Sequence, residues 1–125
     1  MNKIKSLFLF YIIIFFSCDK NTEKATELEI CYSGKLVKKG ICMNYVIEVL
    51  DSEFNKNLIE IIWVDEFSDK EYQNVFTLAS VCDFPNDIME GEIFNFSVLE
   101  NYNQQCAVCL AYTPTPEKAL LIRLC

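Results

Sequence analysis

From residue 29 onward, apolar side chains recur at every second position in short runs, separated by breaks rich in polar residues, glycine or proline. Ile41, Met43, Tyr45, Ile47 and Val49 alternate with Cys42, Asn44, Val46 and Glu48. A period of two places the odd set on one face of a strand. Upstream, Ile30, Tyr32 and Leu36 form an even apolar set, and Lys38-Lys39-Gly40 is the break between the two. Pairing Leu36 with Ile41 sets Tyr32 opposite Tyr45 and Ile30 opposite Ile47, so the pattern predicts a hairpin with one apolar face. Near the C-terminus, Val108, Leu110 and Tyr112 alternate, as do Leu120, Ile122 and Leu124. Thr113-Pro114-Thr115-Pro116-Glu117-Lys118 lies between them, and its two prolines make it stiff and non-strand. This predicts a second hairpin, with Tyr112 opposite Leu120, Leu110 opposite Ile122 and Val108 opposite Leu124. Between the hairpins, Leu58 to Val64, Gln73 to Val81, and Phe94-Phe96-Val98 read as strands. Asp83 to Ile88 reads as a turn or a single helical turn, and Met89-Glu90-Gly91 leads into the next strand. No helical period runs beyond a turn or two, and there is no internal repeat. The expectation is an all-β fold of about six or seven strands with turns about every ten residues: a small, partly open antiparallel β-barrel of the oligonucleotide/oligosaccharide-binding (OB) type, or a sandwich.

The first residues follow another rule. Lys3 and Lys5 precede an unbroken apolar run from Leu7 to Phe16. A spanning helix needs about 20 apolar residues, so this run is short for a span and fits the core of a secretory signal. It ends in Phe15-Phe16-Ser17-Cys18, with a small residue directly before the cysteine. That ending resembles the lipobox of bacterial lipoproteins, with Phe15 where leucine is most common. The resemblance implies a signal peptide over residues 1–17, cleavage before Cys18, and diacylglycerol on the Cys18 thiol with further acylation of its amine. Residues 18–28 are polar and charged with no apolar periodicity, and read as a flexible tether. Residues 29–125 then form a single β-domain. Asp19 follows the lipid site, which in some bacteria directs retention at the inner membrane; the outer membrane is the favoured expectation, with the domain in the periplasm or at the cell surface.

Composition narrows the chemistry. The chain has 125 residues, 11 Lys+Arg, 18 Asp+Glu, no His and a formal charge of −7. Loss of residues 1–17 removes Lys3 and Lys5 and takes the charge to −9 over 108 residues. The acidic balance argues against nucleic acid as a partner, since phosphate binding needs clustered Lys and Arg. Without His there is no Ser-His-Asp triad, no Cys-His pair and no His-ligated zinc or haem. Three glycines leave no phosphate-binding glycine loop.

Seven cysteines point to an oxidising compartment. With Cys18 set aside, Cys31, Cys42, Cys82, Cys106, Cys109 and Cys125 suffice for three disulfides, in any of about 15 connectivities. In the hairpin registers above, Cys31 and Cys42 are too far apart to bond, whereas Cys125 lies diagonal to Cys109. The second register makes Cys109–Cys125 reachable; Cys42–Cys82 is the next pairing to try, leaving Cys31–Cys106. Cys106-Ala107-Val108-Cys109 is also a bare CxxC. A redox pair of that kind sits at a helix N-terminus, and here the motif runs into a predicted strand, so structural use is the leading reading. Four thiolates could hold zinc by count, but a single CxxC is weak support.

Other features carry less. Asp65-Glu66-Phe67-Ser68-Asp69-Lys70-Glu71 lacks the glycine and ligand spacing of a calcium loop and reads as a solvated loop. Trp63, Phe67, Tyr72 and Phe76 read first as core and second as an aromatic ligand surface. No catalytic residue, metal ligand or cofactor site is expected. The chain resembles small bacterial envelope lipoproteins of uncharacterised function. This implies a lipid-anchored, non-enzymatic binding module with a protein or glycan partner and a membrane contact through Cys18. The alternatives are an inhibitor of a secreted enzyme such as lysozyme and a thiol–disulfide redox protein using Cys106 and Cys109. One family of lysozyme-inhibiting lipoproteins uses a Ser-Gly-x-x-Tyr loop; Ser33-Gly34-Lys35-Leu36 is followed here by Val37.

Overall fold

The computed structural model describes residues 29–125. The expected signal peptide, the expected lipidation site Cys18 and the expected tether up to residue 28 lie outside the described residues. The domain is all-β. Its strands are β1 (Tyr32–Lys39), β2 (Tyr45–Val49), β3 (Glu60–Val64), β4 (Glu71–Leu78), β5 (Ile93–Val98), β6 (Ala119–Leu120) and β7 (Ile122–Leu124). Single 3-10 turns occupy Ile41–Met43, Lys56–Leu58 and Val81–Asp83. The strands form one sheet in the order β3-β4-β2-β1-β5-β7, and β6 adds a parallel pairing to β4.

The period-two reading locates the core. Leu36 pairs with Ile47, Ile47 with Phe76, and Tyr32 with Phe96, so the alternating apolar residues of four strands share one face. Leu36, Ile47, Phe76 and Phe96 are fully buried there, capped by Phe54, Ile59 and Phe84 from the connections. Phe96 is the hub, with ring centroids of Tyr32, Phe54, Phe76 and Phe94 all 5.7–6.3 Å away. Gly34 is required by this packing, because a Cβ there would sit 2.9 Å from the Phe96 ring.

The first hairpin differs from its predicted register. Leu36 pairs with Ile47 and Lys39 with Tyr45, and a bulge between Leu36 and Lys38 shifts the ladder. Residues 41–43 are the turn, not strand. Cys42 and Met43 take left-handed φ values of 56° and 59°, and Asn44 N–H and its side-chain Nδ2 both donate to the Ile41 carbonyl. Ile41 is consequently exposed.

The predicted C-terminal hairpin does not form. Residues 99–118 contain no strand, and Leu110 is 96% exposed. The C-terminal segment instead pairs with two other strands. Thr77 and Leu78 of β4 take β6, while Phe96 to Val98 of β5 take β7. Only Leu121 separates β6 from β7, and its carbonyl accepts from Leu99 N–H. Ser80 Oγ fixes this crossing from inside, accepting from Ile122 N–H and donating to the Ile122 carbonyl. The seam on β4 is short, so the sheet curls and is pinned rather than continuously closed, and β3 remains a free edge.

Candidate binding surface

With no strand to hold it, the segment 99–118 is fixed by covalent and polar ties. Cys82–Cys106 joins it to the turn after β4, and Cys42–Cys109 joins it to the β1–β2 turn, with Cα–Cα distances of 5.6 and 5.1 Å. The third bridge, Cys31–Cys125 at 6.3 Å, joins the two ends of the domain. The pairings expected from the sequence, Cys109–Cys125, Cys42–Cys82 and Cys31–Cys106, are not those formed. The first depended on the register of a C-terminal hairpin that the strandless loop removes. Cys31 and Cys125 meet because Tyr32 and Leu124 both lie against Phe96 of β5. Cys106 and Cys109 bond to different partners, so the CxxC does not form a disulfide with itself.

Beyond Cys109 the loop becomes a strap across the sheet. The Asn44 side chain donates to the Ala111 carbonyl, Lys38 Nζ to the Pro114 carbonyl at 2.9 Å, and Thr77 Oγ1 to the Pro116 carbonyl at 2.6 Å. Lys38 and Thr77 flank Val46 in the ladder. The buried prolines Pro114 and Pro116 therefore run over that row, and Val46 is fully buried although it points away from the main core. The two prolines lie in a strap across the sheet rather than in a hairpin connection.

The strap faces the β3–β4 hairpin. Trp63 of β3 stacks on Tyr72 of β4 at 5.5 Å. Lys38 Nζ lies 5.5 Å from the Trp63 ring centre and 2.7 Å from Asp65 Oδ2. Asp65 is buried and organises the β3–β4 turn, accepting from Phe67 N–H at 2.9 Å. Burial pushes its carboxyl pKa up, but the bonds from Lys38 and Phe67 outweigh this and hold it below the usual carboxylate value. On the exposed side, the Tyr112 ring meets Phe67 edge-on at 5.9 Å, and the Tyr112 hydroxyl donates to the Glu66 carboxylate. That bond to Glu66, with some burial, raises the Tyr112 phenol pKa. Tyr112 and Phe67 remain about 70% exposed, an unusual position for large aromatics.

Between strap and hairpin runs a shallow groove of about 250 Å³, lined by Trp63, Val64, Tyr112 and Pro114 together with Glu60, Glu66 and Glu117. Three of the four aromatics singled out in the sequence, Trp63, Phe67 and Tyr72, belong to this region; Phe76 is core. Tyr112 escapes the sequence reading because its alternation with Leu110 and Val108 mimics a strand. The acidic stretch 65–71 is a turn whose one buried acid is satisfied internally. Among the described residues no group of three or more acidic or cysteine side chains is arranged to hold a metal ion. Ser33 and Gly34 lie within β1, paired on both sides, and present no loop. Searches for similarity find no matching family model, no matching curated protein and no matching solved structure.

Proposed function

We propose that this chain is a lipid-anchored module of the bacterial cell envelope that binds a partner through the strap–hairpin surface. The observation that supports the binding role is the loop 99–118. A segment of that length without regular structure is usually functional when it is held in place. Here two disulfides and a pair of buried prolines hold it, and it presents Tyr112 beside Phe67 instead of burying either. Support for the anchor comes from the charged start, the apolar run and Ser17-Cys18, and from a domain rich in disulfides, which persist in oxidising compartments. Two or more acyl chains on Cys18 give stable attachment, whereas one gives only marginal binding.

The test is the intact mass of the native protein extracted from membranes, with disulfide mapping on the same sample. The expected species starts at an acylated Cys18 and carries Cys31–Cys125, Cys42–Cys109 and Cys82–Cys106. Cys18→Ala should move the protein out of the membrane fraction. An unacylated N-terminus overturns the anchor.

A further inference from the structure

We propose that the free edge of β3 is a self-association site, where two copies of this chain pair β3 with β3, antiparallel, about a two-fold axis at Ile62. This goes beyond the partner binding proposed above, and neither reading depends on the other. β3 ends the sheet, and among the described residues no hydrogen bond reaches the main chain of residues 60–64 from outside the β3–β4 ladder. Asp65 N–H donates to the Lys70 carbonyl across the hairpin. Main-chain groups alternate in direction along an antiparallel strand, so those of Trp63 point toward β4 and those of Glu60, Ile62 and Val64 point outward. Such a row of outward N–H and C=O groups is a template for another strand.

The side chains leave this edge unguarded. Edge strands are ordinarily blunted by lysine, proline or a bulge. Glu60-Ile61-Ile62-Trp63-Val64 has no lysine and no proline, and it pairs with β4 without a register shift. Leu58, Ile61, Ile62, Val64 and Phe67 are all exposed, a concentration of large apolar side chains on one hairpin edge. Register and charge select the occupant. With Ile62 opposite Ile62 of the second copy, Ile61 lies opposite Trp63, and Glu60 lies opposite Val64. The outward pairs then exchange about six main-chain bonds. The chain is acidic, with a formal charge of −7, yet this register opposes no two carboxylates. The two Glu60 residues lie about 14 Å apart along the strands, beyond the screening length of about 8 Å at physiological salt. The axis of such a pair is perpendicular to the sheet, so both straps lie on the same face of the joined sheet. One strand per copy is far less than the about 20–30 residues a side of a standard interface, so the dimer is a weak, reversible one.

The full-length protein in density-matched detergent is followed by sedimentation equilibrium from micromolar to millimolar concentration. The expected result is a reversible monomer–dimer equilibrium. Ile62 is 60% exposed, so Ile62→Lys spares the monomer core while setting two like charges on the axis, and should raise Kd about tenfold or more. Ile41→Lys, at a similarly exposed residue of the β1–β2 turn, should leave Kd unchanged. Cysteine variants in intact cells read the register and keep the test decisive if Ile62→Lys fails to fold. Ile62→Cys should link to a second copy under mild oxidation, because Cα atoms about 5.5 Å apart suit a disulfide, and Val64→Cys should not. A chain that is monomeric at every concentration, a Kd unchanged by Ile62→Lys or equally raised by Ile41→Lys, equal linking at the two cysteines, or linkage of Ile62→Cys to a different protein overturns the proposal.

Discussion

The sheet and the strap are held together by different physics. In the sheet, Leu36, Ile47, Phe76 and Phe96 sit on one face because a strand alternates, and burial of that face stabilises every pairing at once. In the strap, residues 99–118 bury little, and their path is set by Cys82–Cys106, Cys42–Cys109 and three side-chain bonds to main-chain carbonyls. The sheet is thus cooperative and tolerant of solvent chemistry, while the strap is a set of separate ties that can be cut one by one. The exposed aromatics and the acid-lined groove lie where the two meet.

The comparison is broken most severely from the sheet side. Phe96→Ala removes the ring against which Tyr32, Phe54, Phe76 and Phe94 pack and should cost about 3–5 kcal/mol. In urea unfolding the midpoint should fall while strap and sheet still unfold together. Replacing Cys42 and Cys109 together by Ala should cost about 2–4 kcal/mol, because the bridge closes a sequence separation of 67. Here the expected signature differs. Amide exchange should speed up in residues 107–112, where the tie is lost, more than in β1, β2 and β5. Uniform acceleration across both regions would show that the strap is not a separate unit.

That contrast also explains what could be read from the chain. Strands β3, β4 and β5 were legible to within a few residues, because alternation reports burial and burial made them. Cys42 and Met43 alternate correctly on paper, yet both turn left-handed, and no periodicity carries φ. Val108, Leu110 and Tyr112 alternate too, but Leu110 is almost fully exposed, so the pattern there had no core behind it. The Cys109–Cys125 pairing failed with the second of those registers. On the groove, Trp63 was visible as an aromatic, with Tyr72 and Phe67 packed beside its lining, while Tyr112 joins it only through the strap's path. Two prolines flanked by threonines were the available signal that this stretch crosses a surface rather than turning.

A smaller effect separates the two regions by charge. Lys38 is the tie from the sheet to both Asp65 and the strap carbonyl of Pro114. Lys38→Met keeps the stem and removes the head, leaving Asp65 buried without its counter-ion. The expected cost at neutral pH is about 2 kcal/mol, measured by chemical unfolding. Trp63 fluorescence should shift as well, since the lysine head lies over its ring. A cost within about 0.5 kcal/mol would place Lys38 among ordinary surface pairs.

The finest distinction is the pH dependence of that same pair. In the folded protein Asp65 ionises below its usual value of 3.8, because the bonds from Lys38 and Phe67 outweigh the opposing effect of burial. A depressed folded pKa means the unfolded chain takes up the proton first. The stability Asp65 contributes is therefore complete above the ordinary carboxylate range and is lost as pH falls through the lower folded value. In Lys38→Met the favourable bond is gone and burial remains, so the folded pKa should rise above the unfolded one. Acidification from pH 7 toward 4 should then narrow the gap between the variant and the parent protein. The deficit of Phe96→Ala, which involves no charge, should stay constant over the same range. A Lys38→Met deficit that is equally flat would mean that Asp65 is held by the Phe67 N–H alone, and that the strap is tied to the sheet by its carbonyl bonds and disulfides without help from charge.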